Sequence, residues 1–253
     1  MKKSNILPLL LGSTLVFAAC GGNEEAKKSE DTKTETAQKS EVTDAKSLIE
    51  KANEAGKDIK SYKADLETDM SVGSESAKMT MNMSVDEDET TKAEIKAEDE
   101  TIDMYIFDEK TVLSQDGETF MDATDSMGVE VKDQLKNMDY QSNLKTLDAY
   151  KDAKFEKTDD GYELEKSFKN LDEYKQLIED SGASTADLNE DEIDSIKGTM
   201  KISFDKDFLM SSAEQDMDMT TADGDSKIET DVEYEDFNKV SKIEIPEAAK
   251  NAE

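Results

Sequence analysis

Apolar and polar residues alternate with a period of two through much of this chain, and this pattern limits the fold more than any other feature. From Tyr62 to Val72 every odd-numbered position is polar, and five of the six even-numbered positions are apolar. Segments 79–85 and 91–97 repeat the pattern. Successive side chains of a β-strand point to opposite faces of its sheet, so each segment predicts a strand with one apolar face and one solvated face. The apolar faces must be buried against a second layer.

Two hairpin signals and further alternating segments extend the predicted sheet. Asp116-Gly117 and Asp159-Asp160-Gly161 lie between strand-like segments, and Asp-Gly in that position is a strong hairpin signal. The other predicted strands are 102–107, 111–115, 118–122, 154–157, 162–166, 196–204, 213–219 and 228–234.

Three segments have the apolar spacing of amphipathic helices. Residues 43–60 predict one helix, in which Thr43 or Asp44 can cap the first free amide groups. Apolar residues at spacings of three to six over 131–150 favour two short helices over one. Residues 170–182 predict another helix, with Asn170 as its N-terminal cap and Gly182 just past its end.

These elements predict an α+β fold in which a curved antiparallel sheet, an open half-barrel, wraps a few helices. Short turns between successive strands require antiparallel, meandering pairing, and a sheet that covers helices must curve. We expect a single domain over residues 43–249 and a short tail over residues 250–253. One face of the sheet is expected to be dry and the other strongly acidic.

The N-terminal residues have the parts of an export signal, and we interpret residues 1–19 as a signal peptide. Lys2 and Lys3 form a positive region, and Ile6–Phe17 is apolar apart from Pro8 and small or hydroxyl residues. The apolar stretch is shorter than the about 20 residues that a membrane-spanning helix needs. We therefore expect it to direct export and to be removed.

Phe17, Ala18, Ala19 and Cys20 form a motif similar to the lipobox of bacterial lipoproteins, although Phe17 replaces the usual Leu. A lipobox implies a diacylglyceryl group on Cys20 and anchoring to the outer face of the cell membrane. Acyl chains such as palmitate anchor stably, because each buried methylene contributes about 0.8 kcal/mol. Residues 20–42 lack aromatic residues and carry charges of both signs, so we expect a disordered tether after the lipidated cysteine.

The composition argues against several classes of function. The chain has no His, a single Cys and no Arg, and its net charge is −32. The absence of His removes the common catalytic triads and the commonest zinc and iron ligand sets, and a single Cys allows no internal disulfide. The dense negative charge repels nucleic acid and anionic lipid surfaces. We therefore expect no enzyme activity, no cofactor, no metal centre and no nucleic-acid partner.

Methionine recurs on the apolar faces of the predicted strands. Its flexible thioether side chain fits irregular or exchangeable apolar contents, so these residues are candidates for lining a ligand groove. The candidates are Met79, Met81, Met83, Met104, Met200, Met217 and Met219. Thioethers at this spacing are also soft ligands that suit copper(I), and a silver or copper(I) binding assay would separate the two interpretations. We favour the lining of a groove or core.

Two polar strings match parts of known sites, and a third, Asp86–Glu89, is strongly acidic. Asp180–Ser184 contains the Asp-Ser-Gly string of aspartic proteases, but a single copy at a helix end cannot supply paired carboxylates. Asp187–Gly198 begins like an EF-hand loop, but Glu192 stands where the loop needs glycine and Gly198 where it needs glutamate. We interpret the first string as a helix end and reject the second as an EF-hand. Weak cation binding by residues 187–198 or Asp86–Glu89 is an alternative to solvated acidic loops.

Several longer strings resemble a known family. They are IKSYKADLETDMSV (59–72), DGYEL (160–164) followed by FKNLDEYKQLI (168–178), and YEDFNKVSKIEIPEAA (234–249). Together with the lipobox they are similar to a family of uncharacterised Gram-positive lipoproteins, whose architecture resembles that of the lipoprotein carriers LolA and LolB and the mycobacterial lipoprotein LppX. The resemblance implies a half-barrel sheet around helices, with an apolar cavity that accepts acyl chains. Its motifs belong to a fold rather than to a catalytic site.

Two hypotheses about function follow. The first is a non-enzymatic, surface-anchored lipoprotein that binds a lipid or other hydrophobic molecule in an apolar groove. The alternative is an envelope interaction or assembly protein with a filled core, whose acidic face binds a protein partner. An apolar cavity on the order of several hundred Å³, the size of most ligand sites, favours the first hypothesis.

Overall fold

The computed structural model describes residues 41–97, 100–124, 139–181, 193–221 and 224–252. The predicted signal peptide, the lipobox with Cys20 and most of the predicted tether lie outside these ranges. So do residues 131–138 of the predicted helical middle and residues 182–192 of the polar strings. Val42, which the sequence placed at the end of the tether, is buried in the core.

Four short α-helices and one 3-10 helix lie within these ranges. Asp44, one of the two expected caps, begins the first helix, and its carboxylate accepts the backbone N–H of Ser47 at 2.8 Å. Asn170 caps the third helix as predicted, accepting the N–H of Glu173 at 2.9 Å. The elements are α1 (Ala45–Gly56), α2 (Tyr140–Thr146), the 3-10 helix (Leu147–Tyr150), α3 (Leu171–Asp180) and α4 (Glu247–Lys250). None of these helices is long and apolar enough to cross a membrane.

Eleven strands are present in the part of the chain that the structure describes. They are β1 (Tyr62–Val72), β2 (Glu75–Val85), β3 (Thr91–Ala97), β4 (Glu100–Phe107), β5 (Lys110–Ser114), β6 (Met121–Asp122), β7 (Lys154–Lys157), β8 (Gly161–Phe168), β9 (Ile193–Asp205), β10 (Met210–Thr221) and β11 (Gly224–Glu235). The strand predicted over 118–122 is wrong at its start. The Asp116 carboxylate accepts the N–H groups of Glu118 and Thr119 at 2.9 and 2.7 Å, which holds those residues in the turn.

All eleven strands belong to one antiparallel sheet with the order β6-β5-β4-β3-β2-β1-β11-β10-β9-β8-β7. The sheet consists of two meanders, which the sequence predicted, joined by pairing of the first strand with the last. In that joint Leu66 of β1 lies opposite Val232 of β11. Strands β6 and β7 are the two edges of the sheet, so it is open.

The alternation determines which side chains face the helices. In β1 the side chains of Tyr62 and Ala64 are buried on this face, while Glu67 on the other face is exposed. The sheet is strongly curved, because Met81 of β2 and Ile202 of β9 line one cavity although three strands separate them. The predicted fold class, an open curved antiparallel sheet around a few helices, is confirmed.

The convex face is not acidic throughout, which corrects the expectation from sequence. Tyr105 and Val112 point away from the helices and are 8% and 0% exposed, because the segment after β11 covers them with Ile243, Ile245 and Ala249. The acidic convex surface is therefore confined to other strands, including β1, β10 and β11.

Candidate ligand-binding groove

A cavity of about 1050 Å³ lies between the concave face of the sheet and the helical layer. Strands β1, β2, β9, β10 and β11 form its floor, and α2, the 3-10 helix and α3 form its wall. This volume is just above the roughly 300–1,000 Å³ that is typical of small-molecule sites. We call this cavity the groove.

The deepest level of the groove floor is entirely apolar. The strand register places five apolar side chains side by side across five strands, so no polar group interrupts this level. The residues are Met81, Leu66, Val232, Ala213 and Ile202. Such a surface fits a hydrocarbon chain, because apolar area removed from water stabilises by about 25 cal/mol per Å².

The next level of the floor carries three uncharged polar side chains on its central strands. Thr68, Thr230 and Gln215 are neighbours in the register of β1, β11 and β10, and we call them the polar belt. The hydroxyl oxygens of Thr68 and Thr230 lie 3.4 Å apart. Met79 and Met200 continue the level on β2 and β9.

Apolar residues return at the outer level of the floor. Met70 of β1 lies between Ala77 of β2 and Ile228 of β11, and Ile228 in turn lies opposite Met217 of β10. Met70 is 42% exposed, a high value for a residue that shares the face of a buried core. The concave face is therefore an apolar surface crossed by one belt of uncharged polar groups.

The wall of the groove is attached to the floor by side-chain hydrogen bonds. The hydroxyl group of Tyr150 donates a hydrogen bond to the sulfur of Met200 at 3.4 Å. Burial raises the pKa of Tyr150 to about 12, so this hydroxyl is neutral at pH 7. Lys166 of β8 donates to the carbonyl oxygen of Ala149 at 2.8 Å and to Asp152 at 2.9 Å. These contacts hold the 3-10 helix over the sheet.

A cluster of aromatic side chains fills the concave face beyond the deepest level, on the opposite side from the polar belt. Tyr62, Tyr140, Tyr234 and Phe237 pack with ring centroids 5.1 to 6.1 Å apart. Asn143, which also lines the groove, donates to the Tyr234 hydroxyl at 2.7 Å. Burial raises the pKa of Tyr62, Tyr140 and Tyr234, so these hydroxyls remain protonated. The cluster closes this end of the groove floor.

The seven methionines proposed from sequence occupy different environments. Met79, Met81 and Met200 line the groove. Met104 is 0% exposed in the core, and Met83 lines a separate cavity of about 930 Å³ beside Tyr62. Met217 and Met219 lie on the concave face outside the lining. Whether any of them contacts a ligand stays a prediction.

Sequence reasoning missed several residues that line the groove. Met70 and Met210 are both in the lining, and neither was among the candidates. The polar belt was also missed, although Thr68 interrupts the apolar positions of its strand and could have drawn attention. Gln215 gave the same signal, because it interrupts the apolar positions Ala213, Met217 and Met219 of its strand.

The charged residues of the lining are almost all paired. Lys78, Lys201 and Glu214 alternate with residues of the concave face, so their side chains point to the convex face, where Lys78 contacts Glu67 and lies 3.4 Å from Asp69, and Lys201 lies 2.7 Å from Glu214. Glu100 has no ion pair within the described ranges. The groove therefore presents one unpaired carboxylate and no unpaired cation among its described lining residues.

The polar strings that were considered for cation binding are only partly described. The carboxylate of Asp86, which is 1% exposed, accepts the backbone N–H groups of Asp88, Thr90 and Ile243 at 2.8 to 3.0 Å. This carboxylate therefore organises its own turn and attaches the C-terminal segment to it. Among the described residues, no three His, Cys, Asp or Glu side chains are grouped as metal ligands would be.

The protein therefore belongs to the class of α+β folds in which an open, curved antiparallel sheet lies against a thin layer of helices and leaves an apolar groove between them. Within that class, the chain belongs to the family of unknown function DUF6612, whose model matches residues 44–253. No curated protein matches the chain.

Three solved structures are similar in fold at very low sequence identity. LprF from Mycobacterium bovis is 9% identical with a TM-score of 0.39, and the match covers 81% of this chain and 97% of LprF. The LolA superfamily protein NE2245 from Nitrosomonas europaea is 9% identical with a TM-score of 0.26, over 80% and 96% of the two chains. A DUF1329 family protein from Desulfovibrio piger is 8% identical with a TM-score of 0.24, over 77% and 92%. These scores are low, so the fold assignment rests on the strand order and register of this chain.

Proposed function

We propose that this protein is a non-enzymatic binding protein that holds a lipid or another hydrophobic molecule in the groove. The observation that supports the proposal is the groove itself, a cavity of about 1050 Å³ over an uninterrupted apolar level. In a close-packed core, side chains from the helices would fill this space. An open apolar cavity of this size is instead typical of a ligand site.

We also propose that the protein acts at the outer face of the cell membrane, anchored through lipid on Cys20. The support for this part is the sequence alone: the export signal over residues 1–19, the lipobox and the charged, aromatic-free segment that follows. An anchored binding protein with a tether can receive a hydrophobic molecule from the membrane and hold it away from water.

Titration with N-phenyl-1-naphthylamine, an uncharged apolar fluorophore, tests the binding proposal. Ala213 lies at the deepest level of the groove floor, so Ala213→Phe is expected to fill the groove and abolish the fluorescence increase. Ser212 is the preceding residue and points to the convex face. Ser212→Phe is therefore the matched control and is expected to bind the probe as the unmodified protein does. Absence of saturable binding to the unmodified protein, in samples that native mass spectrometry shows to be empty, would refute the proposal.

The acidic convex face supports the alternative function, binding of a cationic protein partner. Glu67, Asp231 and Glu214 are adjacent in the register of β1, β11 and β10. The pKa of Asp231 is raised by partial burial and by repulsion from Glu214 and Glu233, so this charge is incompletely compensated. Titration with a lysine-rich peptide at low and moderate salt tests this function, and groove-blocking Ala213→Phe should leave it unchanged.

A further inference from the structure

The polar belt and the charges around the groove restrict the chemistry of the ligand. We infer that the groove takes an acyl ester or amide without a negatively charged head group, with its hydrocarbon chain at the deepest level and its carbonyl group at the polar belt. This inference rests on the proposed function, because it specifies the ligand class of the same groove.

The first argument is the position of the polar belt between two apolar levels. Thr68, Thr230 and Gln215 lie on adjacent strands, and all three line the groove. The Gln215 side chain has no hydrogen bond within the described part of the chain. Hydroxyl and amide groups on an otherwise apolar floor disfavour a pure hydrocarbon, since covering them without a partner costs free energy.

A carbonyl group satisfies the belt without introducing charge. The Gln215 amide nitrogen has two N–H donors and each threonine hydroxyl has one, whereas a carbonyl oxygen accepts up to two hydrogen bonds. An ester or amide linkage has apolar chain on one side of its carbonyl and a head group on the other. The groove floor has the same order: an apolar deepest level for the chain, then the polar belt for the carbonyl group.

The second argument is that the described lining residues of the groove include no unpaired cation for an anionic ligand. Lys78 and Lys201 point to the convex face, where they form ion pairs with carboxylates, and Lys166 is held by Asp152 and the Ala149 carbonyl. Glu100, a lining residue with no ion pair within the described residues, would lie next to a head group at its end of the groove and repel an anionic one. A carboxylate or sulfate head group would be desolvated without a partner, in a protein whose net charge is −32.

Three ligands with hydrocarbon chains of similar length separate the contribution of the carbonyl group from that of head-group charge. They are 1-palmitoylglycerol, which has the ester carbonyl, 1-O-hexadecylglycerol, which lacks it, and hexadecyl sulfate, which is anionic at every pH used. Each is used below its aggregation concentration to displace N-phenyl-1-naphthylamine. We expect the ester to bind about fivefold more tightly than the ether, the factor for one net hydrogen bond, and hexadecyl sulfate to bind most weakly.

Variants of the belt identify the groups that recognise the carbonyl. Gln215→Leu and Thr230→Val keep the shape of each side chain and remove its polar group. Both are expected to weaken binding of the ester about fivefold and to leave the ether within about twofold. Thr80→Val makes the same change on the convex face of β2, where Thr80 lies opposite Glu67, and serves as the matched control.

The outcomes distinguish this inference from the proposed function. If hexadecyl sulfate competes as well as the ester, or if ester and ether bind equally to every variant, the ligand class is wrong while hydrophobic binding stands. If neither the probe nor any of the three ligands binds, the proposed function itself fails. A difference between ester and ether that disappears in Gln215→Leu or Thr230→Val supports the inference.

Discussion

The backbone N–H of Met210 donates a hydrogen bond to the phenolic oxygen of Tyr140 over 3.1 Å. Met210 lies at the first residue of β10, where the pairing with β9 is shifted by a bulge, so its N–H is not part of the regular ladder. Tyr140 is the first residue of α2 and is 0% exposed. Together with the bond from the Tyr140 N–H to the Tyr62 hydroxyl at 3.2 Å, this bond holds the start of the helical wall against the sheet beside the groove, in which Met210 is a lining residue.

Tyr140→Phe tests this attachment. The substitution keeps the aromatic packing and leaves the buried N–H of Met210 without an acceptor, which is expected to cost about 1–3 kcal/mol of unfolding free energy. Tyr162→Phe is the control, because the structure shows ring stacking by Tyr162 and no hydrogen bond from its hydroxyl within the described residues. Urea denaturation of both variants measures the difference. Equal stability of the two variants would show that the bond contributes nothing.

Methionines in the core and in the groove are expected to differ in their sensitivity to truncation. Met104 is 0% exposed, so Met104→Ala should lose about 2–5 kcal/mol of unfolding free energy by creating a cavity. Met79 lines space that is already open, so Met79→Ala should lose well below that range. Chemical denaturation measures both. A large loss for Met79→Ala would mean that the groove is closed in solution.

Asp231 is expected to destabilise the folded state at neutral pH. Its pKa in the folded state is raised above the ordinary 3.8, first by partial burial and then by Glu214 and Glu233. The penalty is therefore full above the raised pKa, decreases as the pH falls through it, and is absent below the ordinary value. Asp231→Asn should be more stable than the unmodified protein at pH 7, and urea denaturation should show this gain narrowing as the pH approaches 4.

Asp236→Asn provides a control of opposite sign. A hydrogen bond from Lys63 lowers the pKa of Asp236, so this carboxylate stabilises the fold above its ordinary pKa, and the stabilisation is lost as the pH falls. Asparagine tolerates the positive φ of 54° at this position, so the substitution changes charge with little backbone strain. The variant should be less stable at pH 7. A gain for both variants would show that removal of any acidic charge stabilises the protein.

Moderate salt is expected to stabilise the folded domain. The chain carries 63 acidic residues against 31 lysines, and salt at 0.1 M largely screens the repulsion between exposed charges more than about 10 Å apart. The melting temperature should therefore rise from low to moderate ionic strength. A flat or falling curve would indicate that local ion pairs, such as Lys201 with Glu214, already compensate the charge.

Cys20→Ala is expected to abolish membrane retention and leave the domain folded. The predicted lipid attachment is at Cys20, whereas the core lies in residues 42–249. Metabolic labelling with a radioactive fatty acid measures lipidation, and circular dichroism of the released protein measures folding. Label that persists in the variant would show that lipid is attached elsewhere.

Local sequence patterns were sufficient to predict most of the secondary structure. Alternation predicted β1 with the bounds Tyr62–Val72 that the structure shows, because one face of this strand is buried at Tyr62 and Ala64 and then lines the groove from Leu66 to Met70. Caps at Asp44 and Asn170 were predicted for the same kind of local reason, since a side-chain oxygen reaches an amide three residues away. The start of the strand at 118–122 was predicted wrongly, because the hydrogen bonds of Asp116 extend the turn beyond Gly117.

The sequence by itself determined the strands, their two faces and the antiparallel class of the fold, because these depend on neighbours along the chain. The pairing of β1 with β11 joins residues such as Leu66 and Val232, which are far apart in sequence, and only the tertiary structure decided it. That pairing sets Thr68 beside Thr230 and Gln215 and so creates the polar belt. Only the tertiary structure also decided which methionines line the groove and which lie in the core. Methionines of both kinds occupy apolar positions of alternating strands, so the sequence pattern cannot separate them, whereas the curvature of the sheet does.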